Sequence, residues 1–256
     1  MEEDKKNYRE VFLPGDEVGG ENQKSGYGTY REDGKIYSSH VGVRTGRNEF
    51  VNIIPLGGKY NPRPGDQVIA YIEEIGPTYW MTNINSPYPA PLHVNDTPWK
   101  VNFGDTAKYL EINDVIIAVI SSVDEIKHVQ ISMKEHGHRR VNSGSIVEIT
   151  PSKVPRVIGK GGSMISLIKN TANCRLFVGQ NGRIWIDGEE EAIELAIRAI
   201  EMIERESHSF GLTEKVNTFL EEEAAKIFPQ TEKTGEEEKE DVEESAEAED
   251  AAEEEE

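Results

Sequence analysis

Val157-Ile158-Gly159-Lys160-Gly161-Gly162-Ser163-Met164-Ile165 is the stretch from which the rest of the chain is read. Glycines at 159 and 162 bracket Lys160 and Gly161, giving Gly-x-x-Gly between two apolar, helix-compatible runs. Only glycine lacks a Cβ, so such a turn lets another backbone come close to the main chain. Amide groups opening the following helix can then face phosphates. A lone Gly-x-x-Gly arises in many turns, so its flanks carry the weight. Ser145–Thr150 alternates as a strand does, and Pro151 ends it. Val154, Val157 and Ile158 suit a short helix with one buried face; Met164, Ile165, Ile168 and Ala172 suit a second. Cys174–Val178 reads as a strand, Gly179–Gly182 as a polar turn and Ile184–Ile186 as the returning strand. Ile193, Ala196, Ile197, Ile200 and Ile203 then mark one face of a long helix.

The resulting order, βααββα with Gly-x-x-Gly between the first two helices, resembles a type-I KH domain along its whole length. Such a domain clamps about four nucleotides of single-stranded nucleic acid. Charge agrees with that. No Asp or Glu lies between Glu148 and Asp187, whereas Lys153, Arg156, Lys160, Lys169, Arg175 and Arg183 do. A buried sheet and two short helices could be poor in charge for structural reasons alone. Six cations without an anion favour a phosphate-facing surface instead. The expected RNA contacts in this unit are Lys153, Arg156, Gly159, Lys160, Gly161, Gly162 and Ser163.

Upstream, Gln67–Ile75, Tyr79–Asn83, Ala90–Val94, Asp114–Val123 and Val129–Ser132 read as five strands, the number and spacing of an OB-type barrel. Gly65-Asp66-x-Val68, an aromatic strand after Gly76, Leu92-His93, Asp114-Val115-Ile116 and Ile131-Ser132-Met133-Lys134 together resemble an S1-type RNA-binding domain over residues 64–135. The segment after His93, with Pro98 and Trp99, departs from that pattern. In such barrels bases stack on aromatics of one face while cations track the backbone. Tyr79, His93 and His128 match that face, with Lys127 beside it. Alternation sends Trp80 to the opposite side from Tyr79, into the core. The segment His136-Gly137-His138-Arg139-Arg140 reads as a solvated linker whose basic pair, Arg139 and Arg140, can touch RNA. Two histidines alone make no metal site, and neither metal nor cofactor is expected.

Before the barrel, residues from Tyr8 to Tyr60 are rich in glycine and β-formers, with strands at Gly26–Tyr30, Ile36–Val43 and Phe50–Ile54 and a hairpin signal at Asp33-Gly34. This predicts a small all-β domain for docking. After the KH unit, Thr213 can cap a helix with Val216, Phe219, Leu220, Ala224 and Ile227 on one face, stopped by Pro229. The chain has 256 residues and a formal charge of −20, of which residues 235–256 carry −13 through fourteen acidic residues and one lysine. That tail is expected to be disordered. The rest is only mildly acidic, so local patches decide what it binds. The single cysteine, Cys174, excludes an internal disulfide framework. With no signal-like start and no spanning run, a cytoplasmic protein without membrane contact is expected.

The expected architecture is therefore multidomain, all-β plus α+β: a β domain (1–62), an S1-type OB barrel (63–136), a type-I KH domain (137–210), a C-terminal helix (211–229) and an acidic tail (230–256). That order, together with the joint Ile54-Pro-Leu-Gly-Gly-Lys-Tyr-Asn-Pro-Arg-Pro-Gly-Asp66, resembles the RNA-binding cap subunit of the archaeal exosome, the ribosomal RNA-processing protein four family, over residues 8–210. The resemblance implies a non-catalytic subunit. Three such caps sit on a hexameric ring of RNase PH-like subunits and feed 3′ ends of single-stranded RNA, A-rich ends among them, to phosphorolysis. The rival reading is a transcription- or ribosome-associated S1/KH factor; elongation factors of that kind usually carry two KH units, and here one Gly-x-x-Gly lies in KH context.

Overall fold

A computed structural model describes residues 10–45, 49–135, 137–207, 209 and 211–227. The acidic tail and His136 lie outside the described residues. The N-terminal unit is built from seven short strands: β1 (Val11–Phe12), β2 (Glu17–Gly19), β3 (Lys24–Ser25), β4 (Thr29–Glu32), β5 (Lys35–Ser38), β6 (Gly42–Thr45) and β7 (Phe50–Pro55). They form two small sheets, β1-β6-β7-β3 and β2-β5-β4, around Val18, Ile36, Val51 and Ile53. Asp33 and Gly34 turn β4 into β5 with φ of +47° and +80°, the backbone a two-residue hairpin requires. The single strand expected over Ile36–Val43 is broken at Ser39–Val41. Ser38 is buried and its hydroxyl donates to the His40 carbonyl at 2.7 Å, which turns the chain from one sheet into the other.

The barrel strands are β8 (Gln67–Ile75), β9 (Tyr79–Asn83), β10 (Ala90–His93), β11 (Val115–Val123) and β12 (Val129–Ser132). They close in the order β8-β9-β10-β12-β11, with β10 and β12 parallel and the other pairings antiparallel. Val68, Ala70, Ile72, Trp80, Leu92, Ile116, Ala118 and Ile131 fill the interior. A sixth strand, β13 (Arg139–Val141), pairs with the first half of β11. Residues 139–141 are thus part of the barrel's sheet, which corrects the reading of this segment as a solvated linker.

The KH unit contains β14 (Ser145–Glu148), α1 (Val154–Ile158), α2 (Ser163–Ala172), β15 (Arg175–Val178), β16 (Arg183–Asp187) and α3 (Glu190–Arg205), followed by α4 (Leu212–Ile227). Its antiparallel sheet runs β14-β16-β15, as the βααββα order requires. Buried residues on α2 (Met164, Ile168, Ala172) fall at i, i+4 and i+8, one stripe of a helix. The stripe on α3 is wider than expected: Ala192, Leu195, Ala199 and Ile200 are buried, while Ile193 and Ile197 are only half-covered. The cause is α4, which packs against α2 and α3 so that α3 is covered on a second side. Thr213 lies inside α4's first turn and does not cap it. Cys174 is buried in this core, and burial pushes its thiol pKa up.

Barrel and KH unit share a third core. Ile69 and Ile117, on the outer face of β8 and β11, pack with Trp185 of β16. The Trp185 indole N–H donates to the Ser143 carbonyl at 2.6 Å. No helix among the described residues is long and apolar enough to cross a membrane.

Candidate nucleic-acid interface

The turn between α1 and α2 is built by three glycines in backbone states that L side chains rarely adopt. Their φ values are +74° at Gly159, +62° at Gly161 and +81° at Gly162. Their reasons differ. A Cβ on Gly159 would lie 2.7 Å from the Met164 amide nitrogen, so this glycine is needed by the fold itself. A Cβ on Gly161 would meet nothing within 4 Å, and one on Gly162 only the edge of Ile165 at 3.8 Å. The last two leave an open notch at the start of α2, unfilled by the protein's own side chains.

Charge around the notch is more selective than the sequence suggests. Lys160 and Arg156 are exposed and, among the described residues, without an ion pair. Ser163 is exposed at the first position of α2. Lys153 is half-buried, and its ammonium donates to the Ser207 hydroxyl at 2.6 Å. It is tethered beside the end of α3, where Thr150 also bonds Glu204 at 2.7 Å. Arg175 is paired with Asp187. Arg183 is buried, bonded to Glu148 at 2.7 Å, and its guanidinium lies 4.5 Å from the centre of the Tyr71 ring in the barrel. Arg183 therefore joins the two units and faces no phosphate.

On the barrel, strand register sets Tyr79 directly opposite His93 and Met81 opposite Pro91. With Gln130 and Asp96 they line a shallow depression of about 430 Å³. The Asn95 amide donates to His93 Nδ1 at 3.2 Å, which fixes the ring and leaves its other nitrogen for a ligand. Trp80 points into the core, as alternation requires. Lys127 and His128 lie on the turn into β12; Lys127 has φ +65°, and His128 faces Asp124 at 3.1 Å. Arg139 and Arg140 are not on this face. Arg140 is bonded to Asp114 at 2.7 Å, and Arg139 lies 5.2 Å from the Trp185 ring centre. The structure thus joins Tyr79 with His93 and separates both from the basic pair.

Sequence reasoning missed Asn181. It is fully buried at the β15–β16 turn; its amide donates to the carbonyls of Ile69 at 2.8 Å and Ile84 at 3.0 Å. The neighbouring Gln180 amide donates to the Gln67 carbonyl at 2.8 Å. A polar turn rich in glycine hid a clasp between barrel and KH unit. The only local cue was Asn-Gly at its tip.

His138 is buried, with both ring nitrogens lacking a hydrogen-bond partner among the described residues. Burial lowers its pKa, and the Glu135 carboxylate opposes this only in part. A neutral buried histidine resists protonation that the unfolded chain accepts near its ordinary value of 6.5. Stability should therefore be full above that value and fall as the pH drops below it. Thermal melts from about pH 7.5 to about pH 5 should show the wild type losing more stability than His138→Phe; parallel losses would refute the assignment.

Comparison with known proteins adds the following. Residues 144–202 match the KH domain, and residues 9–57 match the exosome RNA binding protein RRP4 N-terminal domain. The chain is 48% identical over 217 residues to the exosome complex component Rrp4 of Thermoplasma acidophilum, covering 84% of this chain and 91% of that one. It is 46% identical to the Picrophilus torridus protein of the same name, covering 83% and 92%, and 41% identical to that of Methanosarcina mazei, covering 85% and 84%. A crystal structure described as an exosome complex RNA-binding protein superposes with a TM-score of 0.61 at 36% identity, covering 66% of this chain and 99% of the other.

Proposed function

Because the chain belongs to the Rrp4 family of exosome components, we propose that it is the RNA-binding cap of an exosome, holding single-stranded RNA for a separate degrading ring. The observation that carries this reading is the open Gly161–Gly162 notch with Arg156 and Lys160 unpaired beside it. The Tyr79–His93 face supplies stacking on the same chain. A preference for A-rich ends belongs to the same reading. A single clamp binds weakly. Joining it to the barrel, and setting three chains round the entrance of a hexameric RNase PH-like ring, raises the effective concentration of RNA-binding groups. The N-terminal unit offers Val11, Leu13 and Val41 as exposed apolar residues, a surface suited to docking on that ring. The chain itself cleaves no bond in this reading and works in the cytoplasm, delivering 3′ ends to phosphorolysis.

The purified full chain should bind single-stranded RNA and release no nucleotides from it, with or without phosphate. Nucleotide release that co-purifies with the chain through successive columns would overturn the non-catalytic reading.

A further inference from the structure

We propose that the cleft where the N-terminal sheets, the barrel and the KH unit meet is a second RNA site, taking one further nucleotide of the strand held at Gly161–Gly162. The inference rests on the clamp reading above. The cleft has a volume of about 550 Å³, and Tyr27, His40, Lys59, Arg63, Pro155 and Gln180 are among the residues lining it. One wall is a π-stack. The Arg63 guanidinium lies 3.4 Å from the centre of the Tyr27 ring, and the Tyr27 ring stacks on His40 with centroids 6.3 Å apart and planes 18° apart. The stack is held in place: the Tyr27 amide donates to Asn52 Oδ1 at 2.7 Å, and the Ser39 hydroxyl lies 2.8 Å from His40 Nδ1.

His40 is exposed at the end of this stack, so a base can add to it. Lys59 is exposed and has no ion pair among the described residues. The one carboxylate in the wall, Asp66, is occupied by the Tyr60 hydroxyl at 2.6 Å. An aromatic platform beside an unpaired cation is the pairing of features that single-stranded nucleic acid uses, base on ring and phosphate on ammonium. On the far wall, the Ser152 hydroxyl donates to the Leu56 carbonyl at 3.1 Å, linking the KH unit to the N-terminal joint.

The cleft is also placed to continue the strand. Pro155 lies on α1, which is followed directly by Gly159, the first glycine of the clamp. Four residues of helix span about 6 Å, close to the phosphate spacing of an extended strand. Arg156 is exposed between the two sites.

The test is a titration of the full chain with single-stranded RNAs of about four and about ten nucleotides, the first filling a KH clamp alone. His40→Ala and Lys59→Ala should each weaken binding of the longer RNA about five- to tenfold and leave the shorter unaffected. Both residues are exposed, so the melting temperature should not move. If both variants bind the longer RNA like wild type while Lys160→Asp/Gly161→Asp binds it poorly, the cleft is no RNA site although the clamp stands. Wild-type RNA affinity combined with poorer association with other exosome subunits would reassign the cleft to a protein interface. Absence of RNA binding by the unmodified chain would overturn clamp and cleft together.

Discussion

Changing Lys160 and Gly161 together to aspartate is expected to weaken binding of single-stranded RNA by about thirtyfold, with little change in stability. The substitution removes one cation and adds two anions at the mouth of the notch. Hydrogen bonds to charged groups contribute about 1.5–3 kcal/mol each, and weakening by about 2 kcal/mol is roughly thirtyfold in Kd. The fold should tolerate the change. Lys160 is exposed. Gly161 sits at φ +62°, ψ +23° with room for a Cβ, a left-handed state that aspartate enters at a cost of about 1 kcal/mol. Salt dependence gives an independent check. The slope of log affinity against log salt should shrink by about 0.7 for each phosphate that the protein no longer neutralises. Gly159→Ala is the informative contrast: it collides with Met164 and should unfold the turn. RNA affinity unchanged in Lys160→Asp/Gly161→Asp, measured by titration, would remove the notch from the mechanism.

What was legible in the sequence was whatever local periodicity controls. Strands Gln67–Ile75, Tyr79–Asn83 and Val129–Ser132 end where alternation and turn residues place them, because one face of each meets the barrel interior. The Gly-x-x-Gly turn was legible because its backbone states demand glycine. Arg183 and Asn181 were not, since their partners are remote: Asn181 bonds Ile69, 112 positions away. Counting cations placed Arg183 with Lys160; only the fold shows that one is sealed against the barrel and the other open. A signal did exist in Val68-Ile69-Ala70 and Ile116-Ile117-Ala118. A free-standing barrel strand alternates apolar and polar residues, whereas these runs do not alternate. Ile69 and Ile117 are buried by Trp185, so unbroken apolar runs marked the outer face as covered. Likewise, the expected strand over Ile36–Val43 failed because alternation does not reveal which of two sheets a residue joins.

Asn181→Ala should destabilise the chain by about 3 kcal/mol, lowering the melting temperature by roughly 6–12 °C. Asn181 is fully buried; its amide serves the carbonyls of Ile69 and Ile84, and its oxygen lies 3.4 Å from the Ile69 amide. Alanine leaves the Ile84 carbonyl without this donor and the Ile69 carbonyl with Arg183 Nη1 at 3.3 Å, in a space closed to water, and leaving a buried group unpaired costs more than the bond itself contributes. The damage should concentrate where barrel meets KH unit. Calorimetry should show the single transition broadening or splitting as the two units lose their coupling. Function should follow the same logic. In the proposed reading, a clamp and a stacking face on one chain act on the same strand at high effective concentration. Once the clasp is loosened, RNA long enough to touch both should bind less tightly, while RNA that fills only the notch should bind as before. A melting temperature within a degree or so of wild type would show that Trp185, Ile69 and Ile117 hold the units together without Asn181. Loss of short-RNA binding would show instead that the clasp supports the clamp itself.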